Sequence, residues 1–171
     1  AHASMPDDGV NAIGLIVDYL LENGLCGADE RAFLELDQKL LNHTDGSGVG
    51  IKSSDEYFGP LTVIGGTIAL KDDRFVQTVD SRFPTSITAD EITERLRQLA
   101  EEIGGSFENT LLMEPFLVKP DSPVIQALLN AYNEATGEDA KPFTMGGGTY
   151  AREFKSGASF GPEKPWEKNP D

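Results

Sequence analysis

The sequence is short of cysteine, histidine and basic residues, and it has no long hydrophobic run. Its one cysteine, Cys26, excludes an internal disulfide and favours a reducing compartment, so we expect a cytoplasmic protein. Cys26 itself is expected to be a small buried apolar residue at a helix end. Because no apolar stretch approaches the ~18 residues of a membrane helix, we expect no membrane insertion.

Basic residues are outnumbered by acidic ones. The chain has 14 Lys and Arg against 29 Asp and Glu, which gives a formal net charge of −15 at pH 7. Nucleic acids and anionic membrane surfaces bind clusters of Lys and Arg, so this balance argues against both as partners. The acidic residues are spread over expected helix faces and turns, which is typical of a solvated surface.

The scarcity of histidine limits the chemistry that the chain can carry alone. A zinc site needs three or four His, Cys, Asp or Glu ligands, and the two histidines are His2 and His43. His43 and Asp45 have the His-x-Asp spacing of a ligand pair, but a polar cap at a helix end explains them more simply. We therefore predict no self-contained metal site within this chain. The sequence also has no G-x-S-x-G elbow and no Walker motif, which argues against a serine nucleophile and against a nucleotide loop.

Hydrophobic periodicity predicts an α+β fold, in which an antiparallel sheet is flanked by helices. The predicted elements are helices over 6–23 and 29–43, a β-hairpin over 57–84, a helix that ends before Gly104, and a strand over 106–118. Gly65 and Gly66 suggest a β-bulge within the hairpin. Thr88 and Glu91 form a capping box at the start of the third helix.

A boundary is predicted at "KPDSP", residues 119–123. Ser122 as cap and Pro123 at the first helical position begin a helix that extends to about residue 136. Short strands are expected near 141–146 and 157–161, and residues 162–171 are expected to form a loop. This second part is too small to bury its own core, so we expect it to belong to a larger α/β domain.

Three features could bind a ligand. The stretch "GGGTYAREF" at 146–154 is either a structural tight turn or a loop whose free N–H groups bind a ligand. Arg82, at the end of the second hairpin strand, is either a solvated edge charge or a fork that captures a carboxylate. His2, before the first helix, suits a surface or structural role on the sequence alone.

Four stretches carry a resemblance when they are taken together and in order: "AHASMPDDGVNAI", "VDSRFP", "PFTMGGGTYAREF" and "SFGPE". They resemble the latter half of the bacterial carnosinase-type dipeptidases, within the aminoacylase-like family of dinuclear zinc metallopeptidases. The resemblance covers nearly the whole chain. It implies that residues 1–119 are the second part of a lid or dimerisation domain, and that residues 120–171 return into an α/β zinc-peptidase catalytic domain.

The resemblance also implies a role for each motif. His2 would stabilise the oxyanion that forms at the scissile carbonyl as zinc-bound water attacks. Arg82 would hold the C-terminal carboxylate of a dipeptide. Gly147, Gly148 and Thr149 would line the substrate site beside two zinc ions.

Some parts that the resemblance implies are missing from this chain. The other zinc ligands and the general base would lie in an absent N-terminal half, and a last histidine ligand is expected after "SFGPE". His43 and Asp45 fall inside the lid and are not the zinc motif of the family. We therefore expect a fragment that is inactive alone and holds no zinc, whose partners are a dipeptide, the missing half and a second copy bound through the sheet edge of the lid.

Two other interpretations stay open. The chain could be a free-standing α+β interaction module that dimerises through an exposed sheet edge. It could instead be a small anion-binding protein, in which the glycine loop works with Arg152. Arg152 is explained more simply by a structural ion pair.

Overall fold

The structure of the chain is a computed structural model that describes residues 2–161 and 164. Within those residues it contains four α-helices and two small antiparallel sheets, so the predicted α+β class is confirmed. The chain divides into two compact units, Ala1–Pro115 (unit 1) and Phe116–Asp171 (unit 2). The assignment of residues 1–119 to a lid and of 120–171 to a catalytic domain stays a prediction.

Unit 1 contains three helices and both sheets. Its elements are α1 (Ala12–Glu22), α2 (Ala28–Leu41), β1 (Ser54–Asp55), β2 (Gly59–Pro60), β3 (Thr62–Lys71), β4 (Arg74–Arg82) and α3 (Ala89–Glu102). Residues Pro6–Asp8 form a separate 3-10 turn, because the Asn11 side chain accepts a hydrogen bond from the Ile13 N–H and begins α1 there. The first two predicted helices are thus confirmed, although α1 begins six residues later than predicted and α2 ends two residues earlier.

The β3–β4 hairpin follows the sequence prediction closely. Asp72 and Asp73 form its turn with φ of 49° and 58°, the left-handed conformation that a two-residue hairpin turn requires. The register of the pairing shifts between Gly65 and Ile68, which confirms the predicted bulge. A Cβ atom at Gly65 would meet the ends of the Gln77 and Leu41 side chains, which would have to shift, so glycine lets α2 and β3 pack closely without that rearrangement.

The capping box of α3 is confirmed as well. Thr88 Oγ1 accepts the Glu91 N–H at 3.2 Å, and Glu91 Oε2 accepts the Thr88 N–H at 2.8 Å. The helix ends before Gly104, whose φ of 74° lies in the left-handed region that glycine adopts without strain.

The hydrophobic core of unit 1 lies between the helices and one face of the hairpin. Its buried members are Val17, Leu34, Leu40, Leu41, Val49, Ile51, Leu61, Val63, Ile92, Leu96 and Leu99. Phe33 of α2 stacks on Phe75 of β4, with ring centroids 5.3 Å apart. Cys26 packs against this core but is half-buried, so its predicted burial is only partial.

The predicted strand over 106–118 is wrong. Phe107 packs against the core, but the segment pairs with no strand in the described part of the chain, and Leu111 is 76% exposed. Alternating apolar residues form a strand only where a ladder partner accepts their backbone hydrogen bonds. The short strands predicted near 141–146 and 157–161 are absent for the same reason, and the predicted loop over 162–171 lies outside the described residues except for Lys164.

Unit 2 contains α4 (Pro123–Thr136) and a 3-10 turn at Tyr150–Glu153. Pro123 begins α4, as predicted, and Gly137 with a φ of 74° ends it. None of the residues described in this unit is buried, and Tyr150 is 92% exposed. The described residues of this unit therefore form no buried core, and its assignment to a larger α/β domain stays a prediction.

No helix in the part of the chain that the structure describes has the length and apolar character needed to cross a bilayer.

Asp37 of α2 is a charged residue inside the core of unit 1. It is only 3% exposed, and neither carboxylate oxygen has a hydrogen-bond partner among the described residues. Burial raises the pKa of Asp37 from 3.8 to about 6. Because the folded-state pKa lies above the unfolded one, ionisation of Asp37 destabilises the fold. This cost is absent below pH 3.8 and complete above about pH 6.

We expect Asp37→Asn to gain stability over the wild type by on the order of 2–3 kcal/mol as the pH rises from about 4 to about 8. The amide cannot ionise, so it does not carry the cost of a buried charge. Urea unfolding at both pH values measures the difference. Glu35→Gln, on the exposed side of the same helix, is the control and should show no such trend. An equal difference from wild type at low and high pH would contradict the raised pKa.

Candidate functional site

His2 lies in the segment that precedes α1, and the residue is exposed. Its Nδ1 accepts the Ser4 N–H at 3.2 Å and lies 2.8 Å from Ser4 Oγ. A backbone N–H can only donate, so the neutral imidazole carries its proton on Nε2. The ring can therefore offer an Nε2–H donor to a ligand.

Polar side chains hold this N-terminal segment against the hairpin. Thr62 Oγ1, at the start of β3, donates to the Ala3 carbonyl at 3.2 Å. Asn11 Nδ2 donates to the Gly65 carbonyl at 2.8 Å. Ala3 precedes the 3-10 turn at Pro6–Asp8 and Asn11 follows it, so these two bonds attach both sides of the turn to β3. The position of His2 therefore depends on β3.

Arg82 is the last residue of β4, and a carboxylate fixes its guanidinium. Its Nε donates to Asp80 Oδ1 at 2.8 Å, and its Nη2 donates to Asp80 Oδ2 at 2.9 Å. Side chains alternate along a strand, so both residues lie on the face opposite Val79, which packs against the core. The interpretation of Arg82 as a solvated edge charge therefore misses this bidentate ion pair.

The structure brings the His2 segment and Arg82 to the same end of the hairpin. Thr62 is directly opposite Arg82 in the β3–β4 register, so the two side chains share one face. The same Thr62 holds the carbonyl of Ala3, which follows His2. Two candidate residues that lie far apart in the sequence are thus linked through one threonine.

The glycine loop lies in unit 2. Gly147 is half-buried, Gly148 is exposed, and Thr149 precedes the 3-10 turn, where its carbonyl accepts the Arg152 N–H at 3.3 Å. Gly147 does not adopt the left-handed conformation, and a Cβ atom there would meet only Met145 Cε, at an ordinary 3.8 Å. Neither backbone strain nor crowding by the described residues requires glycine at this position, so both interpretations of the loop, as a tight turn and as a ligand loop, stay open.

Asp45 is engaged by Lys52 and Ser47, whereas His43 is exposed and its carbonyl accepts the Gly46 N–H at 2.9 Å. Lys52 Nζ lies 2.7 Å from Asp45 Oδ2, while Asp45 Oδ1 accepts the N–H and the hydroxyl of Ser47 at 3.0 and 2.6 Å. The hydrogen bonds from Lys52 and then from Ser47 hold the pKa of Asp45 well below its usual range. Across residues 2–161 and 164, no three His, Cys, Asp or Glu side chains group closely enough to hold a metal ion.

The sequence did not predict the contacts of Asp80 and Thr62. The signal for Asp80 was present, because Asp-x-Arg on a strand places opposite charges on one face. Thr62 carried no signal, since its importance comes from the register of the hairpin and from the path of the N-terminal segment.

No protein-family model matches the chain. The chain is 30% identical over 165 residues to a Bacillus subtilis protein named "Putative dipeptidase YtjP", with 96% of this chain and 35% of that protein covered. It is 28% identical over 162 residues to a Staphylococcus epidermidis protein, with 94% and 34% covered. It is 31% identical over 163 residues to a Staphylococcus saprophyticus protein, again with 94% and 34% covered. The names of these two proteins also describe dipeptidases.

The chain therefore spans about a third of the length of these relatives. The similarity extends along nearly all of the chain, and it supports a relation to a dipeptidase family. The carnosinase type and the zinc ions of the resemblance go beyond what the names of the relatives state.

Asp55 of β1 fixes the chain just beyond Arg82. Its Oδ1 accepts the N–H groups of Tyr57 and Phe58, and its Oδ2 accepts the N–H and the hydroxyl of Thr85. Burial would raise the pKa of Asp55, but these hydrogen bonds together outweigh it and lower the pKa to about 2. A lowered pKa means that the stabilisation is present above pH 3.8 and is lost as the pH falls towards 2.

We expect Asp55→Asn to lower the thermal unfolding midpoint at neutral pH, because the amide cannot accept all four hydrogen bonds. The difference should narrow as the pH falls from 3.8 towards 2. Circular dichroism melts across this range measure it, with the exposed neighbour substitution Glu56→Gln as control. A loss of stability that is the same at every pH would show that the charge of Asp55 has no part in it.

Proposed function

We propose that this chain is part of a dipeptidase and supplies the groups that position the peptide substrate. The observation that carries the proposal is the hydrogen bond from Thr62 to Ala3, because it joins the His2 segment to the strand residue opposite Arg82. The dipeptidase names of relatives that match nearly the whole chain support the same conclusion. The activity belongs to a full-length protein of which this chain is a part.

His2 is proposed to stabilise the oxyanion of the hydrolysis reaction. Its Nδ1 is engaged by Ser4, so the neutral ring presents Nε2–H as a donor. A donor that is held in place before the reaction stabilises the charge that develops on the scissile carbonyl oxygen.

Arg82 is proposed to bind the C-terminal carboxylate of the substrate. An arginine fork matches a carboxylate in geometry and charge. An extended residue spans only ~3.3–3.6 Å, so a carboxylate anchor close to an oxyanion donor selects a peptide with one residue after the scissile bond. The His2 segment and Arg82 lie at the same end of the hairpin, and this placement supports a dipeptide substrate.

Gly147, Gly148 and Thr149 are proposed to line the substrate site in the full-length protein. The support comes from Gly147, whose glycine identity is required neither by its backbone conformation nor by a described neighbour. A glycine of this kind leaves room for the backbone of a ligand or of another segment to approach.

Zinc dependence is proposed from the resemblance, but the described residues of this chain do not fit a zinc site. Asp45 is already engaged by Lys52 and Ser47, and no described group of three ligand side chains exists. We therefore place the zinc ligands and the general base in the part of the relatives that this chain does not span. On this proposal the chain alone is inactive.

A homodimer through the hairpin is proposed as a partner interaction. The edge of β3 is engaged around Val63 and Gly65, which bond to the Thr44 carbonyl and to Asn11. A second copy would therefore pair with the edge of β4 rather than with this part of β3.

The test is dipeptide hydrolysis by the full-length protein that contains this chain, with and without added zinc. We expect His2→Ala to lower kcat by about 10²–10³-fold, because an oxyanion donor is removed. Arg82→Ala should raise KM for dipeptides by about 10–100-fold, because a charge-assisted contact to the carboxylate is lost. KM for the C-terminal amides of the same dipeptides should stay unchanged.

His43→Ala and Arg97→Ala are matched controls, since neither residue lies at the proposed site and both are exposed or partly exposed. Zinc-independent hydrolysis would overturn the metal proposal alone. A full-length protein that cleaves no dipeptide, or a His2→Ala variant with normal kcat, would contradict the proposed function.

A further inference from the structure

We infer that Asp80 is a positioning residue for Arg82 and so helps to determine specificity for a free C-terminal carboxylate. The inference rests on the proposed function, because it concerns the residue that would bind the substrate carboxylate. Asp80 would not touch the substrate itself and would act by orienting the guanidinium of Arg82.

The geometry of the ion pair carries the inference. Two parallel hydrogen bonds of 2.8 and 2.9 Å join Nε and Nη2 of Arg82 to the two carboxylate oxygens of Asp80. An arrangement of this kind fixes both the plane and the direction of the guanidinium, which a single bond does not. Both residues lie on β4, whose backbone is held by its pairing with β3, so the pair has a rigid base.

The Arg82–Asp80 pair is somewhat less exposed than an ion pair on the surface of α3. The side chains of Arg82 and Asp80 are 31% and 41% exposed, whereas those of Arg97 and Glu94 on α3 are 43% and 56% exposed. Arg97 makes one hydrogen bond to Glu94, at 2.6 Å. Exposed pairs of this second type contribute little to stability, so α3 offers a matched pair with no expected role in substrate binding.

Preorganisation explains why the pair would matter. An arginine side chain has many rotamers, and binding a ligand with an unfixed arginine requires that this freedom be lost at the moment of binding. The two hydrogen bonds from Asp80 remove much of this rotamer freedom before a ligand binds.

A rival role for Asp80 predicts the opposite sign. If Asp80 only neutralised the charge of Arg82, its removal would strengthen the attraction of a substrate carboxylate and lower KM. If Asp80 positions the guanidinium, its removal raises KM although the site becomes more positive. The direction of the change in KM therefore decides between the two roles.

The experiment compares Asp80→Asn, Asp80→Ala and Glu94→Gln in the full-length protein, on a dipeptide and on its C-terminal amide. We expect both Asp80 variants to raise KM for the dipeptide by about tenfold, with a smaller change in kcat. KM for the amide should be unchanged, and Glu94→Gln should match the wild type on both substrates. An unchanged or lowered KM in Asp80→Asn would overturn the inference.

A second readout does not depend on activity. In the 171-residue chain, the Arg82 Nε–H signal in ¹⁵N NMR should be protected from solvent exchange, and Asp80→Ala, which removes the acceptor, should abolish that protection. Equal exchange in both proteins would overturn the inference even if KM rose. A wild-type protein that cleaves no dipeptide would contradict the proposed function itself. Normal cleavage with a KM that is the same in the wild type and in the Asp80 variants would overturn only the role of Asp80.

Discussion

The pairing of β3 with β4 is the constraint on which the rest of unit 1 depends. One face of this hairpin carries Val63 and Val79 into the core, and the other face carries Asp80 and Arg82. Because side chains alternate along a strand, the register that buries the first set also exposes the second. A shift by one residue would move Arg82 into the core and Val79 into solvent, so the candidate site and the core are specified together.

The same hairpin also explains how distant segments meet. The absence of a side chain at Gly65 lets α2 approach β3, and the Gly65 carbonyl accepts the Asn11 side chain that begins α1. Thr62 then holds the Ala3 carbonyl beside the end of β4. The Thr62 hydroxyl and the Gly65 carbonyl, both on β3, thus hold the N-terminal segment in place.

Local signals predicted much of this fold. The helices, the Asp72-Asp73 turn, the Gly65 bulge and the Thr88–Glu91 capping box all depend on interactions between residues close in sequence, and all of them are confirmed. The strand over 106–118 failed because a strand depends on a partner, which local periodicity does not provide. Asp37 was missed for a similar reason, since helical spacing places a residue on a face but does not reveal an unpaired carboxylate inside the core.

The candidate site was only partly predictable. Arg82 and His2 could be named from the sequence, but their link through Thr62 depends on the hairpin register. The most direct measurement is a crystal structure of the full-length protein with a non-hydrolysable dipeptide analogue. The account predicts that Arg82 binds the terminal carboxylate and that His2 Nε2 lies within hydrogen-bond distance of the oxygen replacing the scissile carbonyl. An analogue bound away from both residues would contradict it.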